Sequence, residues 1–469
     1  MGDTILMQLI QSIPFFCTFF LFLLNLAIKR KFFCISSLSL LYVSAAMLGS
    51  ILLVEKPRTG VPYVRLDAMI FLSICFVLLC LPALFFKDGK KDEDINFMDL
   101  PDNVIRFVTR ILCILTVPAS IFYLFRSIPL LLHYLTSNIS RGAYRASLPD
   151  FGGALASIEN FFFTFASSFS FIALFWSIYC IALKKQKIWL NILLLFGALG
   201  PCIDSLKTVA REALFIYLLF SGVVTLLFLM VIPVEQKKKL KKFAIIAGSV
   251  LFIPFMAISV TRFKDNLTYS IASYFSTGPY SFNADYAART EGGVKPFYGY
   301  WTFGLHLLLW EKVTDEPVYQ QALTQHESYY WGGDHRKGSP EIFLIYQKIS
   351  GAFPGEFKTM VGTFLLDYPP SVVLLLFMLI SAVFIFLFRK SNSTWSLPLL
   401  ILSSTYFFCL IFAPIGWAFT RKNNVFILFL ICTFALWLYV KGICHHREKA
   451  LSAKLEEKEL PIQELKDCE

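Results

Sequence analysis

Charged side chains are scarce in this chain. Asp, Glu, Lys and Arg make up only 16% of its 469 residues, against about 25% in an average globular protein. The familiar soluble-enzyme motifs are missing too. There is no Walker-type or dinucleotide-type glycine loop, no HExxH and no GxSxG, so nothing in the sequence points to nucleotide hydrolysis by those devices. No CxxC or Cys/His group has zinc spacing. What is abundant is apolar: 57% hydrophobic residues, 50 Phe and a mean hydropathy of +0.63. A soluble protein of this size cannot hide that much apolar side chain, so lipid must solvate most of the chain. This excludes a cytosolic enzyme, a nucleic-acid-binding protein and a disordered scaffold. The net charge of +11 therefore has to be read from its distribution.

Helix needs about 20 apolar residues to cross a hydrocarbon core of ~30 Å. Eleven stretches qualify: Ile5–Ile28, Phe32–Val54, Ala68–Phe86, Ile111–Leu132, Phe161–Leu183, Ile188–Ile203, Ala213–Val234, Phe243–Val260, Val372–Phe388, Ser396–Pro414 and Val425–Val440. Arg126 interrupts the fourth, and the breaker run Gly197-Ala198-Leu199-Gly200-Pro201 falls in the short sixth. The expected fold is an all-α polytopic membrane protein of about 11 transmembrane helices.

Basic residues fix the orientation, because loops rich in Lys and Arg stay cytoplasmic. Lys29-Arg30-Lys31, Lys87 with Lys90-Lys91, Lys184-Lys185-Lys187, Lys237 to Lys242 and Arg389-Lys390 occupy alternate loops, with the pair Arg421-Lys422 a minor exception. The N-terminus is expected outside and the C-terminus inside, and no basic segment of a cleaved signal precedes the first span. The positive charge is thus a topology signal. The chain divides into a bundle of about eight helices (1–260), a large, partly helical extracytoplasmic cap (261–371), about three further helices (372–440) and a cytoplasmic tail (441–469). The cap carries nine Lys or Arg and eleven Asp or Glu, and a loop of such length is usually functional. Helical patterns are expected at Gln320–Tyr330 and Pro340–Gly351.

Ten of the eleven cysteines lie in or beside spans or in the tail. Cys202, at the outer end of the sixth span, has no evident partner, and none lies in the cap. They read as apolar packing residues. Of the six histidines, His445-His446 flanks the last span.

Cations gather at the expected outer face. Arg211 lies in the link between the sixth and seventh spans, Arg262 ends the eighth, and Arg289 follows in the early cap. Ionisable groups at membrane depth are costly and tend to face the bundle interior. Guanidinium is a planar fork suited to phosphate, so two or three around one cavity would hold a lipid-linked pyrophosphate. Snorkelling anchors, with Arg211 paired to Glu212 or Asp204, are the other reading. The cap is rich in aromatic residues, most of which fit an interfacial belt. Tyr329-Tyr330-Trp331 stands apart, inside the polar run from Gln325 to Lys337 that holds His326, His335 and Arg336. Its rings suit sugar faces, and an imidazole there suits general-base or donor work. A solvated loop is the alternative.

Three segments resemble the O-antigen polymerase family and the related O-antigen ligases. Ser205 to Leu219 is similar to the family's outer-face arginine motif. Val260-Thr261-Arg262, the tyrosine-rich stretch Tyr269 to Tyr286 and Gly299-Tyr300-Trp301-Thr302-Phe303-Gly304 resemble the arginine, tyrosine stretch and Gly-x-x-Thr-Phe lead-in to the large periplasmic loop. Thr363-Phe364-Leu365-Leu366-Asp367-Tyr368 resembles the return to the membrane, although Pro369-Pro370 stands where glycines are usual. The likeness covers roughly residues 190–390, in arrangement more than identity.

The resemblance implies a type C glycosyltransferase-like architecture in a bacterial inner membrane. It implies polymerisation of undecaprenyl-pyrophosphate-linked repeat units at the periplasmic face, without metal or cofactor. Arg211, Arg262, Arg289, His326 and His335 would be catalytic, and Arg336, Tyr329, Tyr330 and Trp331 would bind substrate. Expected partners are the lipid-linked glycan, membrane lipids and a chain-length regulator, with no nucleic acid. Two alternatives stay open: ligase-type transfer to another acceptor, and a lipid-linked oligosaccharide flippase, which would carry charges through its spans.

Overall fold

The computed structural model describes residues 2–54, 64–87, 100–136, 144, 154–183, 186–208, 212–232, 234–262, 267–290, 302, 359–390, 396–417, 419 and 427–444. These residues are helical almost throughout, with no strand among them. Lipid explains this: with no water to satisfy backbone groups, a membrane-crossing segment must pair them internally, and a helix does so.

The helices are α1 Gly2–Gln11, α2 Ile13–Lys29, α3 Ile35–Val54, α4 Leu66–Phe85, α5 Asp102–Thr136, α6 Ala154–Leu183, α7 Ile188–Ala198, α8 Gly200–Leu206, α9 Glu212–Val231, α10 Val234–Arg262, α11 Leu267–Thr290, α12 Met360–Asp367, α13 Pro370–Lys390, α14 Leu397–Phe412 and α15 Ile427–Cys444. Each of the eleven expected stretches falls mainly on helix among the described residues. Among the described residues, seven helical segments are long and apolar enough to cross a membrane, or eight if the bent pair α7–α8 is one span. The protein is a multi-pass membrane protein by these criteria. The expected count of eleven includes helices that fall short: α14 has 16 residues, and the described apolar part of α6 is Ser168–Leu183.

Helix α14 is buried on almost every side, as expected of a helix that is hydrophobic all round. It packs against α9 and α3 at the centre of the bundle. Helix α3 carries a run of small buried residues, Ser36, Ser37, Ser39, Ser44 and Ser50. Small side chains let neighbouring helices approach closely in lipid, and α2 and α11 pack on it. Where α2 ends, the Lys29 ammonium donates to the carbonyl oxygens of Ala83 (2.8 Å) and Phe86 (2.6 Å) and to Ser36 Oγ (2.7 Å). One cation thus caps the C-terminal carbonyls of α4, where positive charge is favoured, and ties three helices together.

The breaker run bends the chain by 47° between α7 and α8. Pro201 has no N–H to give the Gly197 carbonyl four residues earlier. Ser120 Oγ of α5 donates to that oxygen instead, at 3.0 Å. A Cβ on Gly197 would stand 2.2 Å from Thr116 Oγ1, and one on Gly200 would stand 2.5 Å from Ser120 Oγ. Gly197 lets the broken helix lie close against α5, and a side chain at Gly200 would displace the Ser120 hydroxyl from its bond to Gly197 O.

The expected cap begins and ends inside the bundle. Helix α11 packs along α3 and touches α4, while α12 packs on α11, α4 and α13. The helical patterns expected at Gln320–Tyr330 and Pro340–Gly351 lie outside the described residues.

Candidate functional site

Helices α9 and α10 form an antiparallel pair joined at Ile232–Val234, so Glu212 and Arg262 stand at the same end of it. Phe215, in the first turn of α9, touches Phe255 of α10 (6.0 Å between ring centroids), Phe275 of α11 (5.7 Å) and Phe412 of α14 (6.4 Å). Four helices therefore meet at this end of the bundle, and α12 begins next to it, where the Met360 amide reaches Ala413 O after α14.

Helix α12 is short and wholly buried. Its first turn is fixed three ways. Thr359 Oγ1 accepts from the Gly362 amide at 2.9 Å, as an N-cap does. The Met360 amide donates to Ala413 O at 2.8 Å. Gly278 of α11 fits beneath it so closely that a Cβ there would stand 2.2 Å from Pro414 O and 3.2 Å from Thr359 N.

Two buried carboxyl groups flank this helix. Asp285 of α11 lies against its first turn, where a Cβ on Gly362 would be 2.9 Å from Asp285 Oδ2. Asp367 closes its last turn, and Oδ2 accepts from both the amide and the hydroxyl of Thr302, each at 2.7 Å. Burial raises the neighbouring Tyr368 phenol above its ordinary range, with a smaller opposing contribution from the Thr302 hydroxyl. The lead-in at Thr302 and the return at Asp367, 65 residues apart, are thus pinned to one point of the bundle. Asp367→Ala leaves two buried donors without this acceptor, at an expected cost of about 3 kcal/mol. Asp367→Asn, which keeps one carbonyl oxygen, should cost less. Melting of the purified protein in detergent reads both, and a wild-type midpoint for the alanine variant would contradict the assignment.

On the facing side, Arg65 and Asp67 form a two-pronged ion pair, Nε–Oδ1 at 3.0 Å and Nη2–Oδ2 at 2.6 Å. The Arg65 amide donates to Asn283 Oδ1 of α11 at 2.9 Å. After the bent pair, Lys207 Nζ donates to Asp204 Oδ1 at 2.6 Å, and the Tyr144 hydroxyl bridges Leu130 O (2.8 Å) and Lys207 O (3.0 Å).

Of the residues expected from the sequence, Arg289 sits in the last turn of α11, partly buried and one helical turn beyond Asp285. Arg262 is the last residue of α10; its backbone is described and its side chain is not. Arg211 falls just before α9, outside the described residues, as do His326, Tyr329, Tyr330, Trp331, His335 and Arg336. Helix α10 is nine residues longer than α9, so at 1.5 Å per residue Arg262 stands roughly 13 Å farther along the axis than Glu212 if both run straight.

Sequence reasoning overlooked Arg65, Asn283 and Asp285. Their signal was present: a carboxyl and an amide in a helix of Ser, Thr and Tyr beside a bundle of Phe and Leu. The arrangement offers fixed carboxyl groups and guanidinium groups at one rim of an apolar bundle, the chemistry for holding a polar headgroup at a lipid boundary. No family model, no curated protein and no solved structure matches this chain.

Proposed function

We propose that the protein polymerises lipid-linked oligosaccharide repeat units at the outer face of a bacterial inner membrane. In this reading it transfers a growing glycan from an undecaprenyl pyrophosphate carrier onto the next lipid-linked unit. The observation that carries it is the junction of Thr302 with Asp367. The two ends of the segment between Thr302 and Asp367 are held at one buried point of an apolar bundle, and Arg289 closes α11, which packs on that point through α12. A polymerase needs that combination: a water-facing region for sugars, lipid access for the carrier, and cations for the departing pyrophosphate. Arg211 and Arg262 would meet the pyrophosphate, and His326 or His335 would take the acceptor proton; Arg289 stands at the opposite end of α11 from Arg262. Tyr329, Tyr330, Trp331 and Arg336 would bind sugar.

The test is deletion and complementation in the producing cell, followed by a glycan ladder. The reading predicts that deletion leaves single repeat units and that the gene restores the ladder. An unchanged ladder after deletion would overturn it. Topology has its own check. Reporter fusions after Lys31, Lys91, Lys187, Lys242 and Lys390 should read cytoplasmic, and one near Arg336 periplasmic. A cytoplasmic signal at Arg336 would put the substrate on the wrong side.

A second reading, a flippase for the same lipid-linked glycan, is favoured by the bend between α7 and α8, because broken helices at membrane depth are common in transporters. Deletion would then trap lipid-linked units on the cytoplasmic face, where a periplasmic ligase cannot use them.

A further inference from the structure

Arg65, Asp67 and Tyr286 form a compact unit at the rim of the bundle that none of the roles above employs. The Arg65 guanidinium lies over the Tyr286 ring, 5.7 Å from its centroid, while its two-pronged pair with Asp67 fixes the plane of the fork. Tyr286 is held from beneath by Phe71 (5.6 Å) and Phe282 (6.1 Å). The Arg65 side chain is 15% exposed and that of Asp67 52%, so the carboxylate faces outward on a buried support.

Asp67 accepts from Arg65 Nε, Arg65 Nη2, the Ala68 amide at 3.0 Å and its own amide, and its half-exposed side chain keeps an edge open to solvent. Burial, helped by the charge of Asp67 and opposed by that of Arg65, raises the Tyr286 phenol. It stays a neutral donor at neutral pH. An outward acceptor thus stands near a neutral hydroxyl donor, over an aromatic cluster and beside a planar cation.

Adjacent hydroxyls of a sugar ring match that pattern, since each can donate to one group and accept from another. We propose that Arg65, Asp67 and Tyr286 form a sugar subsite, in which Asp67 and the Tyr286 phenol bind neighbouring hydroxyls of one sugar and Arg65 holds Asp67 in place. This rests on the reading of the protein as a glycan polymerase, and it assigns recognition of a sugar unit to the α4–α11 rim. Asp67 and Tyr286 contact substrate; Arg65 is a positioning residue.

The test uses the full-length protein in cells, with their own lipid-linked repeat units as the probe. Ladders are compared for a gene deletion and for Asp67→Asn, Tyr286→Phe and Arg65→Lys at matched membrane levels. Tyr286→Phe keeps the ring and its packing and removes only the hydroxyl, so its result does not depend on whether the Asp67 variant folds. Loss of one good hydrogen bond to substrate predicts polymer yield reduced on the order of tenfold, with the detergent melting midpoint of Tyr286→Phe unchanged. Arg65→Lys should give an intermediate yield, because lysine keeps charge but loses the fork. If deletion abolishes the ladder while Asp67→Asn and Tyr286→Phe both give wild-type ladders, the subsite is wrong and the polymerase stands. If deletion leaves the ladder intact, the polymerase reading fails and the subsite fails with it.

Discussion

Gly278→Ala is expected to prevent normal assembly of the protein. The added methyl carbon would stand 2.2 Å from Pro414 O and 3.2 Å from Thr359 N. Both are backbone atoms, so no side-chain rotation relieves the overlap. The whole of α11 would have to back away from the α12–α14 junction, undoing the Met360–Ala413 hydrogen bond and loosening the Phe282–Gly362 contact. Overpacking of a close-packed interior usually costs about 1–3 kcal/mol and sometimes more; a backbone clash at a three-way junction belongs at the upper end. Gly222 and Gly248 supply the control, since a Cβ at either meets nothing within 4 Å. Their alanine variants should accumulate and melt like wild type, or slightly better through helix propensity. Membrane yield and detergent melting of the three variants give the comparison. Normal yield from Gly278→Ala would mean that α11 does not sit against Pro414.

The other large effect belongs to Arg211 and Arg262. Each alanine variant should lower polymer formation on the order of a hundredfold, because a charge-assisted contact that strengthens as the pyrophosphate departs is worth about 3 kcal/mol. Lysine should not restore full activity, since the contact depends on a planar fork as well as charge. Folding should be spared: Arg262 is the last residue of α10 and Arg211 comes just before α9. The ladder at matched protein level, with Arg→Ala and Arg→Lys at both positions, measures this. Full ladders from both alanine variants would leave the two arginines as interfacial anchors.

The helix pattern was legible in the sequence because lipid imposes one simple demand, a long apolar run, and the described residues of each of the eleven runs lie mainly on helix. The break at Gly197 to Pro201 was legible for an equally local reason, a missing N–H at Pro201. Helix α11 was not. Its Ser276, Thr277, Ser281, Asn283 and Asp285 read as the start of a water-facing cap, yet all five are buried. Hydropathy measures how well a side chain suits water; it is blind to polar groups that find protein partners, as Asn283 finds the amide of Arg65. The site divides the same way. Arg289 was visible as one of a set of cations and lies in the last turn of α11. The ends of the polar segment were visible as separate motifs, but not their pairing through Thr302 and Asp367, because a contact across 65 residues leaves no periodic trace.

The central claim is that this chain itself joins lipid-linked repeat units. The most direct measurement is reconstitution of the purified full-length protein in liposomes with undecaprenyl-pyrophosphate-linked repeat units as the sole substrate, in the presence of a chelator and without nucleotide. The account predicts a ladder spaced by one repeat unit. Unchanged single units, when the same preparation retains its folded melting transition, would contradict it.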